Sequence, residues 1–323
     1  MRAILRNNLR RLWTQKQLIV LLVVFTTVAT AAAIFVSTGL EQIWNVAVVS
    51  SQPEGMEADN VNFIEVEQIP SRADLVSGRF DAILIINADD SYELDSIKSD
   101  ETTSRLIAAL EGKQDSTALF SDRGTGTNVL GFLMMFILLM GSTAMYMYAD
   151  DKEQNHIIRV AASPVGIGTY QFAHCLFNFC FLYFPIMLIL FIVRWISGVT
   201  LNYSFLELAG LIAVLCAFST TFCLLLYSLL SNRAEAAKMT GNTIIILTSI
   251  LAGSFYAFDK GNHALELLIT VLPQKAYLTL ADRLEQGAAF MDYLPSLAYL
   301  LVLIVAFYAI SVIKTRRAYV NKH

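Results

Sequence analysis

Charged side chains are scarce in this sequence. Asp, Glu, Lys and Arg make up 15% of its 323 residues, where a soluble domain carries about 25%. That scarcity excludes an ordinary soluble enzyme, and a hydrophobic share of 56% excludes a disordered chain. No G-x-x-x-x-G-K-[ST] stretch is present, so the chain has no phosphate loop of its own. It also lacks an H-E-x-x-H or C-x-x-C pair that would suggest a metal or redox centre. The four cysteines, Cys175, Cys180, Cys216 and Cys223, all lie in apolar runs and read as small packing residues. None of the four histidines is expected to share a site with carboxylates or cysteines.

The apolar residues that are present come in blocks. Six stretches, 18–37, 129–148, 171–193, 207–230, 240–258 and 295–313, are each long enough to cross ~30 Å of hydrocarbon at ~1.5 Å per residue. Arg2, Arg6, Arg10, Arg11 and Lys16 precede the first run. That run exceeds the ~7–15 residues of a signal-peptide core and reads as a retained span. Bases and no acids flank both ends of the chain, with Lys314, Arg316, Arg317 and Lys322 at the carboxy end. This pattern puts both termini in the cytoplasm, which an even number of spans requires. Residues 1–17 carry Leu5, Leu9, Leu12 and Trp13 at helical spacing among the arginines, as an interfacial amphipathic helix would. The fold class expected is membrane all-α, with six transmembrane helices and a small α+β extracytoplasmic domain between the first and second.

That domain, residues 41–127, holds 17 of the 27 acids and 6 of the 23 bases, a net charge of −11. Asn45–Ser50, Val61–Val66 and Asp81–Asn87 are β-rich runs, and Ser71–Gly78 and Asp95–Gly112 are helical candidates. The remainder, 129–323, reads as a five-span transmembrane domain. Its inner loop 149–170 predicts a short charged helix at about 150–163. Asp150, Asp151 and Glu153 would sit at that helix's amino terminus, where the dipole favours acids, and Ser163-Pro164 would stop it. Residues 259–294 are broken at Pro273 and predict a re-entrant or interfacial pair of short helices on the outer face.

Nearly all acids avoid the membrane interior, and Arg194 and Glu207 fall at outer helix ends. An ion-coupled carrier would bury at least one such residue, so the driving energy is expected from another chain. His174 and Asn178 share one face of the third span, as a functional polar pair or as hydrogen-bonding glue. Thr26, Thr30, Met134, Met135, Thr248 and Ser249 on spans one, two and five are candidate pathway-lining residues. Hydroxyls and methionines suit greasy molecules of varied shape and offer no fixed charge to an ion. The acidic outer domain would steer cationic peptides.

The order of these parts resembles the membrane subunit of ATP-binding cassette exporters of the type-2 permease family, in the branch with a large outer domain after the first span. The segment S-R-A-D-L-V-S-G-R-F-D-A-I-L-I-I-N is similar to that family's helix, glycine and apolar strand. D-K-E-Q-N-H-I-I-R-V-A-A-S-P-V resembles its coupling segment, and L-A-G-S-F followed by L-P-Q-K-A-Y resembles its small-residue turn and proline-plus-aromatic pair. Tyr256-Ala257-Phe258 stands where the family often has a proline. The resemblance implies a cytosolic ATPase partner that carries ATP and Mg, with no cofactor in this chain. It also implies a second permease, identical or a sister chain, and membrane lipid around both. It makes Asp151, Glu153, Arg159, Ser163 and Pro164 the ATPase-coupling residues. No catalytic, metal-binding or nucleic-acid-binding residues are expected. The location implied is the cytoplasmic (inner) membrane, and the cargo an amphipathic drug, antimicrobial peptide or lipid. The alternatives are a membrane sensor or scaffold whose outer domain binds a ligand, and a lipid-modifying enzyme. The first predicts a bulky cytosolic output domain and the second a cluster of His, Asp or Arg at one membrane face.

Overall fold

The computed structural model describes residues 1–14, 16–39, 44–49, 61–66, 70, 75, 80, 82–86, 92–95, 124–197, 203–254 and 269–319. The chain divides into two units, one of residues 1–35 with 124–323 and one of residues 36–123. Among the described residues the helices are α1 (Arg2–Thr14), α2 (Lys16–Gly39), α3 (Thr125–Glu153), α4 (His156–Ala161), α5 (Ile167–Ser197), α6 (Phe205–Leu229), α7 (Ala234–Leu251), α8 (Pro273–Glu285) and α9 (Phe290–Tyr319).

Local sequence accounts for the helix ends. Ser204 and Glu207 form a reciprocal capping box at the start of α6. Pro273 occupies the first turn of α8, where its missing N–H costs nothing, and Gly287 leaves that helix at φ +68°. Asn155 takes a left-handed φ of 56° and separates α3 from α4.

Among the described residues five helices, α2, α3, α5, α6 and α9, are long and apolar enough to cross a membrane. The expected span 240–258 corresponds to α7, which falls short of that standard. Its first half carries Glu235, Lys238, Thr240 and Asn242, and residues 255–258 lie outside the described set.

Helix α6 is the centre of the larger unit and packs on α3, α5 and α9. Phe218, Leu215, Leu224 and Tyr227 are almost wholly buried along it. Its approach to α3 depends on Gly141. A Cβ there would stand 2.1 Å from Ser219 Oγ, which donates to the Ile137 carbonyl at 3.1 Å. Polar side chains tie the helices together inside the apolar layer. Gln171 Nε2 donates to Tyr148 and Thr315 at 2.9 Å each, and Ser142 Oγ donates to Asn242 Oδ1 at 2.7 Å. Such bonds hold helices together where both neighbours and solvent are oily. Helix α2 buries Leu22, Thr26, Ala29, Thr30 and Ala33 at helical spacing and exposes Val20, Val24 and Val28.

In the smaller unit, β1 (Trp44–Val49), β2 (Val61–Glu65), β3 (Ala82–Ile86) and β4 (Tyr92–Asp95) form one sheet in the order β2-β1-β3-β4. Strand β1 runs parallel to β2 and β3, and β4 is antiparallel to β3. Three strands fall on the expected runs, and β4 lies outside them. Asp95 ends that strand, so it does not open a helix as expected. Residues 96–112 lie outside the described set, as does most of the expected helix 71–78. Ala47, Leu75, Phe80 and Ile83 form this unit's apolar core.

Candidate functional site

The expected coupling helix is two elements. Asp150, Asp151 and Glu153 are not the start of a helix; they end α3, which continues from the apolar span into the charged loop. A helix carboxy terminus disfavours acids, so their charges require partners. Helix α1 supplies the main one. Arg11 Nη1 donates to Asp151 Oδ1 at 2.8 Å and Arg11 Nη2 to Asp150 Oδ2 at 2.7 Å.

Asp151 is the hub of this end. Its side chain is 8% exposed, and it also accepts the Tyr170 hydroxyl. His156 Nδ1 lies 3.2 Å from Oδ1 and His174 Nε2 3.7 Å from Oδ2. One carboxylate therefore touches α1, α4 and α5 while belonging to α3. Two of the four histidines sit against a carboxylate, contrary to the expectation from sequence, because the fold brings Asp151 to residues 5 and 23 positions on. Among the described residues, no group of three His, Cys, Asp or Glu is placed to hold a metal ion.

The next two residues of α3 tie down other helix ends. Lys152 is buried, and its Nζ donates to the carbonyls of Tyr227 and Leu230 at 3.0 Å each. It thereby caps the carboxy terminus of α6 with positive charge. Glu153 Oε2 accepts from the Ala234 backbone N–H at 2.8 Å and caps the amino terminus of α7, whose own N-cap residue Arg233 provides no side-chain bond. Asp151 and Glu153 are thus engaged within the chain.

The remaining residues of the expected coupling set are turned outward. Ile157 anchors α4 at 0% exposure, while Ile158, Arg159, Ala162, Ser163 and Pro164 are exposed. Ser163 Oγ donates to the Val160 carbonyl at 2.7 Å and shapes the turn after α4. The result is a short helix fixed on one side to the hub, with a free edge of one base, one isoleucine and a Ser-Pro turn.

A cavity of about 290 Å³ lies beneath α1, lined by Ala3, Ile4, Asn8, Val160, Tyr170 and His174 among others. Asn8 Nδ2 lies 3.3 Å from His174 Nδ1. Asn8 Oδ1 and His174 Nε2 are buried without a hydrogen-bond partner among the described residues. The space beside them suits ordered water, which satisfies such groups.

None of the six candidate pathway residues lines this cavity. Thr26 and Thr30 are buried and donate to the carbonyls of Leu22 and Thr26 on their own helix at 2.7 and 2.8 Å. Met134 is buried in the core and Met135 is half-buried. Thr248 accepts from Gln274 Nε2 at 2.8 Å, and the buried Ser249 hydroxyl has no partner among the described residues. His174 and Asn178 do not act as one pair, since Asn178 Nδ2 faces Met145 Sδ at 3.4 Å.

Residues 18–313 match the family model described as ABC-2 family transporter protein. Comparison with curated proteins finds no match.

Proposed function

The chain belongs to the ABC-2 family of transporter proteins, and from that premise we propose that it is the permease of an ATP-driven exporter of amphipathic molecules. The observation that carries this reading is the free edge of α4. A chain without a phosphate loop needs an external source of work, and α4 offers a contact already fastened to three other helices through Asp151. A cytosolic ATPase holding ATP and Mg docks on Ile158, Arg159, Ser163 and Pro164. When it closes, α4 moves and Asp151 carries the displacement to α1, α3 and α5 together. Lys152 and Glu153 pass it on to α6 and α7.

The same reading orients the chain. Helix α1 exposes Leu9 and Trp13 along with Arg2, Arg6 and Arg10. On this reading α1 lies in the inner headgroup layer, and the stretch from α7 to Ser254, which runs from Glu153 at one end of α3 to Gly131 near the other, makes the sixth crossing, so that both termini are cytoplasmic and residues 41–127 lie outside the cytoplasmic membrane. A second permease, identical or a sister chain, completes the transporter. Thr26, Thr30, Met134, Met135, Thr248 and Ser249 lie on the helices that border the route, and the cargo is a drug, an antimicrobial peptide or a lipid.

The test is co-expression with the ATPase encoded nearest to this gene. The pair should co-purify and hydrolyse ATP, and cells carrying both should resist cationic amphipathic antibiotics or lipophilic drugs. Equal sensitivity with and without the pair, together with altered movement of a small hydrophilic solute, would overturn the substrate class.

A further inference from the structure

The other end of α3 has no cap of its own. Its N-cap residue is Gly124, which makes no side-chain bond. The cap comes instead from Glu285, the last residue of α8. Glu285 Oε1 accepts from the Gly126 backbone N–H at 2.8 Å, and Oε2 from that of Thr127 at 2.7 Å. Gly124 must lack a side chain for this to happen, since a Cβ there would stand 2.2 Å from Glu285 Cδ.

Tyr203 closes the knot. It is 3% exposed, and its hydroxyl lies 2.9 Å from Thr127 Oγ1, 3.1 Å from the Ala281 carbonyl and 3.4 Å from Glu285 Oε2. Arg194, near the end of α5, donates to the Tyr203 carbonyl at 3.0 Å.

A self-contained cap, such as the Ser204–Glu207 box of α6, persists whatever its neighbours do. A borrowed cap exists only while the lender is docked. The first turn of α3 is therefore satisfied only when α8 sits against it. From Gly126 to Asp151, α3 is a rod of roughly 38 Å at ~1.5 Å per residue. A push at the Asp151 end must appear at the Gly124 end. Midway, the close approach of Gly141 to Ser219 leaves no room to yield. The knot of exchangeable hydrogen bonds is the joint that can part.

We propose that Glu285 is a positioning residue for transport: its carboxylate latches α8 to the amino terminus of α3, and the latch must open in each cycle. This rests on the permease reading above. The geometry allows a direct test, because a Cβ at position 124 would stand 2.2 Å from Glu285 Cδ and so within about 5 Å of the Cβ at 285, near the range a disulfide spans. In a Gly124→Cys/Glu285→Cys pair made in an otherwise cysteine-free chain and purified with its ATPase, copper-phenanthroline oxidation should form the cross-link. ATP turnover should then fall at least ten-fold and return on reduction. Unchanged turnover with the cross-link closed overturns the latch.

Hydrogen exchange on the unmodified complex covers the case in which the pair fails to fold. The amides of Gly126 and Thr127 should exchange at least ten-fold faster in the vanadate-trapped complex than in the nucleotide-free one. Equal exchange in both states overturns the proposal. Failure of the permease reading is separately visible, since the unmodified chain would then bind and stimulate no ATPase.

Discussion

The two ends of α3 are built on opposite plans. At the Asp151 end the helix gives. Asp151 receives Arg11 from α1, Lys152 caps α6 and Glu153 caps α7. At the Gly124 end the helix receives its cap from Glu285 of α8. One end concentrates three consecutive charged residues with dedicated partners; the other depends on a single carboxylate from 159 positions along the chain. The contrast gives α3 a direction. In the proposed coupling, motion would enter where α3 is widely fastened and leave where it is narrowly held.

The largest effect should come from breaking the hub. Asp151→Ala removes a buried acceptor and leaves Arg11 only Asp150, at a cost of about 3 kcal/mol. Thermal melting of the purified chain should show this. A double-mutant cycle with Arg11→Ala should return a coupling of about 1–2 kcal/mol. A smaller loss, about 2 kcal/mol, is expected for Lys152→Met. That change strips the Tyr227 and Leu230 carbonyls of their donor without opening a large cavity, and a denaturant titration would measure it. Between the two ends, Gly141→Ala should cost about 1–2 kcal/mol by pushing Ser219 off the Ile137 carbonyl. A gain in melting temperature would show that α3 and α6 are less closely seated than described.

The smallest effect concerns the Gly124 end and alkaline pH. Burial, and then the nearby Glu285 charge, push the Tyr203 phenol above its ordinary value of 10.0. The folded chain keeps that proton where the unfolded chain has lost it. Its contribution is therefore complete below pH 10 and declines as pH rises beyond it. By pH 11 the loss should reach roughly 1 kcal/mol, and Tyr203→Phe should flatten that part of the melting-against-pH curve.

The amino-acid sequence shows one half of this comparison better than the other. The apolar runs mark α2, α3, α5, α6 and α9 because length and hydropathy are local properties. The turn at Ser163 and Pro164 is legible for the same reason: a Ser-Pro pair stops a helix whatever packs around it. The boundary at Asp150 is misleading, since the change from apolar to acidic reads as a new helix when the old one simply leaves the oil. Asn155, tolerant of a left-handed backbone, is the local signal of the true break. The hub and the latch are not local. Arg11 meets Asp151 across 140 positions, and nothing beside Glu285 in the chain marks it as the cap of a helix that begins at Thr125.

The central claim is that work enters at the α4 edge and not at the other end of the bundle. A photo-crosslinking residue at Arg159, and another at Trp195, which is 82% exposed near the carboxy end of α5, put it to the test in cells that also make the ATPase. The account predicts an ATP-hydrolysing chain, identified by mass, captured at position 159 and not at 195. Capture at 195 alone, or at neither position while the complex still forms, would contradict it.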